Sequence, residues 1–221
     1  MTGQTKVEAP VAGRSFAEHA YLAIRDRLVM LDIRPGEPIN EDELANVLGV
    51  GRTPIREALK RLENERLVVA YHRRGTFATE VNISDLGHIS EVRRILEPFA
   101  ASAAAERATA ADRAALGSLL EELEAGHASV DSGDLLRMDL KLHRAIYNCV
   151  QNPFLTETLI RYDNLAARIW CVFLPRLSGM AGHVNEHGPL LKAVIAGDAS
   201  RAADLTLGHV VGFEQAIRAL T

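Results

Sequence analysis

The chain of 221 residues is 48% hydrophobic and 24% charged, with a formal net charge of −4, the balance of a water-soluble protein that holds one large domain or two small ones. It has no apolar run of about 18 residues, which excludes a transmembrane helix, and no apolar signal region follows Lys6, so a cytoplasmic protein without a membrane partner is expected. Net acidity also excludes a chain that is basic throughout; any nucleic-acid contact must come from a local surplus of positive charge.

In chain order, residues 1–14 carry Gly, Pro and Thr without periodicity and are expected to be a flexible tail. A helix is predicted over residues 16–31, with Ala20, Ala23, Ile24, Arg27, Leu28 and Leu31 along one stripe, and the turn Ile33-Arg34-Pro35-Gly36 ends it. Residues 40–48 form a second short helix, apolar at Leu44, Val47 and Leu48 and closed by Gly49. The next stretch, 49–62, places Ile55, Ala58, Leu59 and Leu62 at i, i+3, i+4 and i+7 and keeps Arg52, Arg56, Lys60 and Arg61 off that stripe. Thr53 is the expected cap, with Pro54 at the first helical position. Two helices joined by a tight turn at a glycine make a helix-turn-helix, whose second helix reads the major groove with its N-terminal residues. Two strands are predicted at 67–70 and 76–81, with the basic turn Tyr71-His72-Arg73-Arg74-Gly75 between them as a wing. From Val50 to Glu80, seven positive residues stand against four negative ones, a local balance of +3.

These residues resemble a known family. Pro35-Gly36, Glu41 with Leu44-Ala45, Val50-Gly51-Arg52-Thr53-Pro54-Ile55-Arg56-Glu57-Ala58-Leu59, Leu62, Leu67-Val68 and Arg74-Gly75-Thr76 are similar to the winged-helix domain of GntR-family transcriptional regulators. The resemblance implies sequence-specific binding of double-stranded DNA, with Arg52, Thr53 and Arg56 on the reader helix and Arg74 and Gly75 in the wing as contacts. Two positions depart from the family pattern: Gly51 stands where a Ser is usual, and Arg66 stands where a Gly usually precedes the first wing strand.

After the short joint Asn82-Ile83-Ser84, with Ser84 as a cap, the pattern is helical to the end. Helices are predicted near residues 84–107, 111–127, 133–151, 153–174, 178–196 and 198–220, with Pro98 able to kink the first. The fold class is therefore mainly α: an N-terminal winged helix-turn-helix over 15–82, followed by an all-α helical bundle over 83–221. Cys149 and Cys171, the only cysteines, both lie in apolar helical context and read as buried thiols.

Several polar residues fall on the bundle's apolar stripes. Asp139 lies on the stripe of Leu135, Leu142, Ile146 and Val150, with His143 one turn on along the same face. His187 shares a stripe with Leu190, Leu191 and Val194, and His209 lies between Leu205 and Phe213. A hydrogen-bonded core accounts for any one of these. Together, three imidazoles and a carboxylate also suit a divalent transition ion such as zinc.

The same bundle resembles the helical ligand-binding domain of the FadR branch of GntR regulators, in its metal-binding form. The matching residues are Glu91-Val92-Arg93, Leu96-Glu97, Asp139, His143, Glu186-His187, Ala196-Gly197-Asp198 and His209. The resemblance implies that Asp139, His143, His187 and His209 ligate a divalent metal ion, zinc first, with nickel and manganese as options. It also implies that a small organic acid effector binds beside the ion. Arg93 is the first choice for the clamp on that acid, with an intrahelical pair to Glu97 as its other reading. Asn164 and Arg168 are weaker pocket candidates for which plain surface positions are the favoured reading, and His183 could line the pocket but is expected to face solvent. The function expected is a non-enzymatic regulator, a repressor by family habit, acting as a homodimer on a palindromic operator. The competing readings are a pure metal sensor, a zinc-dependent hydrolase and a helical scaffold.

Overall fold

A computed structural model describes residues 15–126, 131–176 and 179–221; the expected tail over 1–14 lies outside them. The chain divides into two compact units on either side of the Val81–Asn82 bond.

The first unit opens with α1 (Phe16–Val29), where Ser15 accepts a hydrogen bond from the Glu18 N–H at 3.1 Å. Ala20, Tyr21, Ile24, Leu28 and Val29 are buried, and α1 packs chiefly on α3 (Arg52–Asn64). Between them α2 (Glu41–Leu48) is capped by Asn40, which accepts from the backbone of Asp42 and Glu43. Gly49 ends α2 with φ +63, the left-handed region that costs other residues most. In α3, Ile55, Ala58, Leu59 and Leu62 are buried, as the periodicity predicts.

The cap of α3 differs from the expectation. Gly51 is in extended backbone and helical geometry begins at Arg52, so Thr53 lies inside the first turn and caps nothing. The family's usual hydroxyl at position 51 is missing, and no side chain bonds the first N–H groups. The wing is a two-stranded antiparallel sheet, β1 (Val68–Tyr71) and β2 (Gly75–Ala78), in the register Val68↔Ala78 to Tyr71↔Gly75. β2 stops three residues before the expected end. Beyond it Thr79 still bonds the Leu67 carbonyl through its N–H at 3.0 Å and the Arg66 carbonyl through its hydroxyl at 2.9 Å.

The second unit contains α4 (Asp85–Arg107), α5 (Ala110–Glu124), α6 (Ser132–Asn148), α7 (Pro153–Phe173), a 3₁₀ turn (Leu174–Arg176), α8 (Met180–Asn185), α9 (His187–Ala196) and α10 (Ala199–Arg218). α4 runs through Pro98 without a break. Buried alanines at 100, 101, 103, 104 and 105 line α4, whose principal partner is α10. α6 packs on α7, and α5 on α9. Ser84 precedes α4 without capping it through its side chain. Cys149 is a buried thiol, and Cys171 is half-buried. No helix among the described residues is long and apolar enough to cross a membrane.

The helix predicted over 178–196 is two helices, joined at Glu186. The physical cause is Pro189. It has no N–H to give the Asn185 carbonyl, so the ladder lapses there and restarts in the next turn, where proline is tolerated.

Arg66 holds φ +63, which explains why glycine is usual at this position. An L-residue there carries a steric cost of roughly 1–2 kcal/mol, which glycine's extra freedom in the unfolded chain only partly offsets. Arg66→Gly is expected to stabilise the winged unit by about 0.5–1 kcal/mol in urea denaturation.

Candidate metal centre and nucleic-acid interface

On α6, Asp139 and His143 face inward one turn apart; α9 begins with His187, and α10 carries His209 at mid-length. All four are buried, and one ligating atom from each lies within 4.8 Å of all the others. His143 Nε2 is 3.1 Å from His209 Nε2. Asp139 Oδ2 is 3.7 Å from His143 Nε2, and Asp139 Oδ1 lies 3.6 Å from His187 Nδ1 and 4.0 Å from His209 Nε2. Ligands about 2.1 Å from a tetrahedral ion stand roughly 3.4 Å from one another, and the His143–His209 and Asp139–His143 separations bracket that value. Two atoms of the cluster, Asp139 Oδ1 and His187 Nε2, are buried without a hydrogen-bond partner. Burial is costly for such atoms unless something pairs them, and a divalent cation suits both. The residues present thus fit a metal ion.

The electrostatics agree. Burial, reinforced by neighbouring positive groups, holds His143 and His209 well below the ordinary imidazole value of 6.5, and burial lowers His187 too. The rings are therefore neutral at neutral pH, the form that ligates. Each ring also has a partner at Nδ1: Tyr147 Oη at 3.0 Å for His143, the Val184 carbonyl at 3.2 Å for His187, and Glu186 Oε2 at 2.9 Å for His209.

Around this cluster three expectations change. His183 is not solvent-facing: its ring stacks between Trp170 (4.7 Å) and His209 (4.0 Å), with Nε2 3.8 Å from Asp139 Oδ1. Arg93, the expected clamp, makes the alternative pair: its Nε donates to Glu97, and a terminal nitrogen lies 3.7 Å from Asp163 Oδ1, all three residues buried. Asn164 and Arg168 are buried on α7 rather than at the surface; Asn164 Oδ1 accepts from Arg144 at 3.0 Å, and its Nδ2 has no partner. Asp163 escaped the sequence reading, although it lies four residues from both Leu159 and Ala167, buried neighbours of the kind that singled out Asp139.

In the first unit Arg52, Thr53 and Arg56 are exposed at the start of α3, and Arg74 and Gly75 are exposed at the wing tip. Both arginines of this helix start are paired with the preceding helix: Arg52 with Asp42 at 2.7 Å, and Arg56 with Glu41 at 2.8 Å. Each arginine side chain remains 67% exposed, and a pair this open is worth about 0–1 kcal/mol. The guanidinium groups are thus positioned without being locked.

Comparison with known proteins gives two family matches. The FCD domain matches residues 88–212, more than half of the chain, and "Bacterial regulatory proteins, gntR family" matches residues 16–78. The Nta operon transcriptional regulator of Aminobacter aminovorans is 39% identical over 132 residues, which is 59% of this chain and 62% of that protein. The match therefore spans about three fifths of that relative's length. The galactonate operon transcriptional repressor of Escherichia coli is 29% identical over 196 residues, 78% of this chain and 85% of that one. Among solved structures, E. coli McbR/YncC superposes with a TM-score of 0.80 at 22% identity, covering 94% of this chain and 99% of its own, a likeness of fold.

Burial pushes the Asp163 carboxyl up from 3.8 to about 8, against the pull of Arg93 and with the help of Glu97 and Asp139. The folded chain thus keeps a proton that the unfolded chain releases, and stability falls as pH rises through that window. Asp163→Asn is expected to raise the melting temperature by about 2–4 °C near pH 8, equivalent to about 1 kcal/mol. The gain should shrink towards pH 4, as followed by thermal denaturation across pH.

Proposed function

The chain belongs to the gntR family of bacterial regulatory proteins and joins its helix-turn-helix to an FCD effector-binding domain, and from that premise we propose a metal-anchored regulator that releases or grips its operator in response to a small organic acid. The families and relatives it matches are transcriptional regulators, not enzymes. The observation that carries the proposal is the convergence of Asp139, His143, His187 and His209 inside the FCD unit.

Three nitrogens and one oxygen suit zinc, and nickel or manganese are the further candidates. A bound ion supplies a positive, Lewis-acidic point for an acid's carboxylate. Asn164 and Arg168, one turn apart on α7 and buried, are the candidates for the acid's remaining oxygens; Arg93 could serve only by exchanging Glu97 for the ligand. Coupling of about 1–3 kcal/mol between effector and operator is enough to change occupancy severalfold.

On DNA, one reader helix covers one half-site, which suits a homodimer on a palindrome. Ile95 (68% exposed) and Phe99 (56% exposed), one turn apart on α4, offer an apolar surface in keeping with a dimer contact. Repression is the sign favoured, by analogy with the galactonate operon repressor.

One observation favours a second reading. Four protein donors complete a tetrahedral zinc site. If zinc is the resident ion and stays four-coordinate, no position is open to an acid, and the ion itself is the signal. An acid effector calls for a five- or six-coordinate ion, which nickel or manganese accepts more readily.

Arg56→Ala is expected to lose roughly 5- to 150-fold in operator affinity, in line with about 1–3 kcal/mol for a bidentate arginine–guanine contact; a gel shift against wild type measures it, and equal binding would remove α3 as the reader. His209→Ala is expected to lower metal content from about one ion per chain to well below that by elemental analysis. Operator binding that responds to an organic acid supports the metal-anchored reading, whereas a response to a chelator alone supports the metal sensor.

A further inference from the structure

His209 points its two ring nitrogens in opposite directions: Nε2 into the cluster, and Nδ1 at Glu186 Oε2, 2.9 Å away. A neutral imidazole carries one proton, so which nitrogen holds it decides whether Nε2 has a lone pair for an ion. A carboxylate can only accept, and therefore selects the tautomer protonated at Nδ1. Building on the metal-anchored reading above, we propose that Glu186 is a positioning residue for the ion: it holds His209 in the Nδ1–H tautomer and its Nε2 lone pair towards Asp139 and His143.

The surrounding structure supports this role. Glu186 forms the junction between α8 and α9, the point where the missing N–H of Pro189 breaks the ladder. At positions i, i+3 and i+4, His183, Glu186 and His187 lie on one face of this short segment. His183 stacks on the His209 ring at 4.0 Å with 20° between planes, and its Nδ1 lies 3.5 Å from Glu186 Oε2, so the carboxylate and the stacked ring fix His209 in angle and in position. The other two ligand rings have neutral partners at Nδ1, the Tyr147 phenol and the Val184 carbonyl. Glu186 is thus the charged anchor in direct hydrogen bond with a ligand ring, and a carboxylate there raises the basicity of the opposite nitrogen.

His183, Glu186 and His209 also have the residue types of a second cation site. The 2.9 Å separation is that of a hydrogen bond, and a proton on Nδ1 leaves no lone pair for another ion.

The test uses the full chain, with zinc as the probe. Glu186→Gln and Glu186→Ala are compared with wild type by zinc titration against a competing chelator, and the His209 tautomer is read by nitrogen-15 NMR in the zinc-free protein. Glu186 is half exposed, with 51% of its side chain accessible, so both variants should fold, which the zinc-free melting temperature checks. The expected result is a loss of zinc affinity of about 10–100-fold, with one ion per chain at saturation and a shift of His209 towards the Nε2–H form. Unchanged affinity with an unchanged tautomer overturns the proposal. Two zinc ions on wild type and one on the variants overturns it too, in favour of a second site. Wild type that binds no zinc, nickel or manganese sinks the metal-anchored reading itself, a result visible before any variant is made.

Discussion

The joint burial of one carboxylate and three imidazoles governs the second unit. Asp139, His143, His187 and His209 are desolvated together, and two of their atoms, Asp139 Oδ1 and His187 Nε2, have no hydrogen-bond partner. Left alone, such a cluster pays for its burial twice, in lost hydration and in unmatched acceptors. The fold answers half of this with partners at every Nδ1, leaving the inward side for a cation. An apolar core at the same place would be simpler to fold, which is why the arrangement reads as a site rather than as packing.

The helical frame serves that site. α6 supplies two of the four candidate ligands one turn apart, and α10 brings His209 while lying along the alanine-rich face of α4. The remaining candidate, His187, is the first residue of α9, just past Glu186. From this segment His183 packs against His209 and Trp170, and His187 lies against Asp139.

Much of this was legible in the sequence because it rests on periodicity. The apolar stripe of α3, the position of the wing and the inward direction of Asp139, His143, His187 and His209 all follow from which residues recur on one face. What escaped depends on a missing group or on tertiary competition. Thr53 looked like a cap because its type is right, yet the backbone at Gly51 decides where α3 starts. His183 looked exposed because the lost N–H of Pro189 was not followed into the ladder. Arg168 and Asn164 were read as surface residues by polarity, although α7 buries them. Arg93 illustrates a choice that no pattern makes: a carboxylate four residues away on its own helix competed with any ligand, and it holds the guanidinium.

The pairs Arg52–Asp42 and Arg56–Glu41 bear on how a reader of this kind searches a genome. Each guanidinium already faces a carboxylate, so a phosphate met at random displaces a neighbour of similar charge before it gains a contact, at a cost of no more than about 1 kcal/mol for pairs this open. If Arg52 and Arg56 read the operator as proposed, the acids of α2 would compete for them with every phosphate as well as with the bases. Because both pairs are open to solvent, salt that weakens the grip of phosphate also loosens these restraints. The reader should accordingly lose less affinity with rising salt than its count of positive contacts implies.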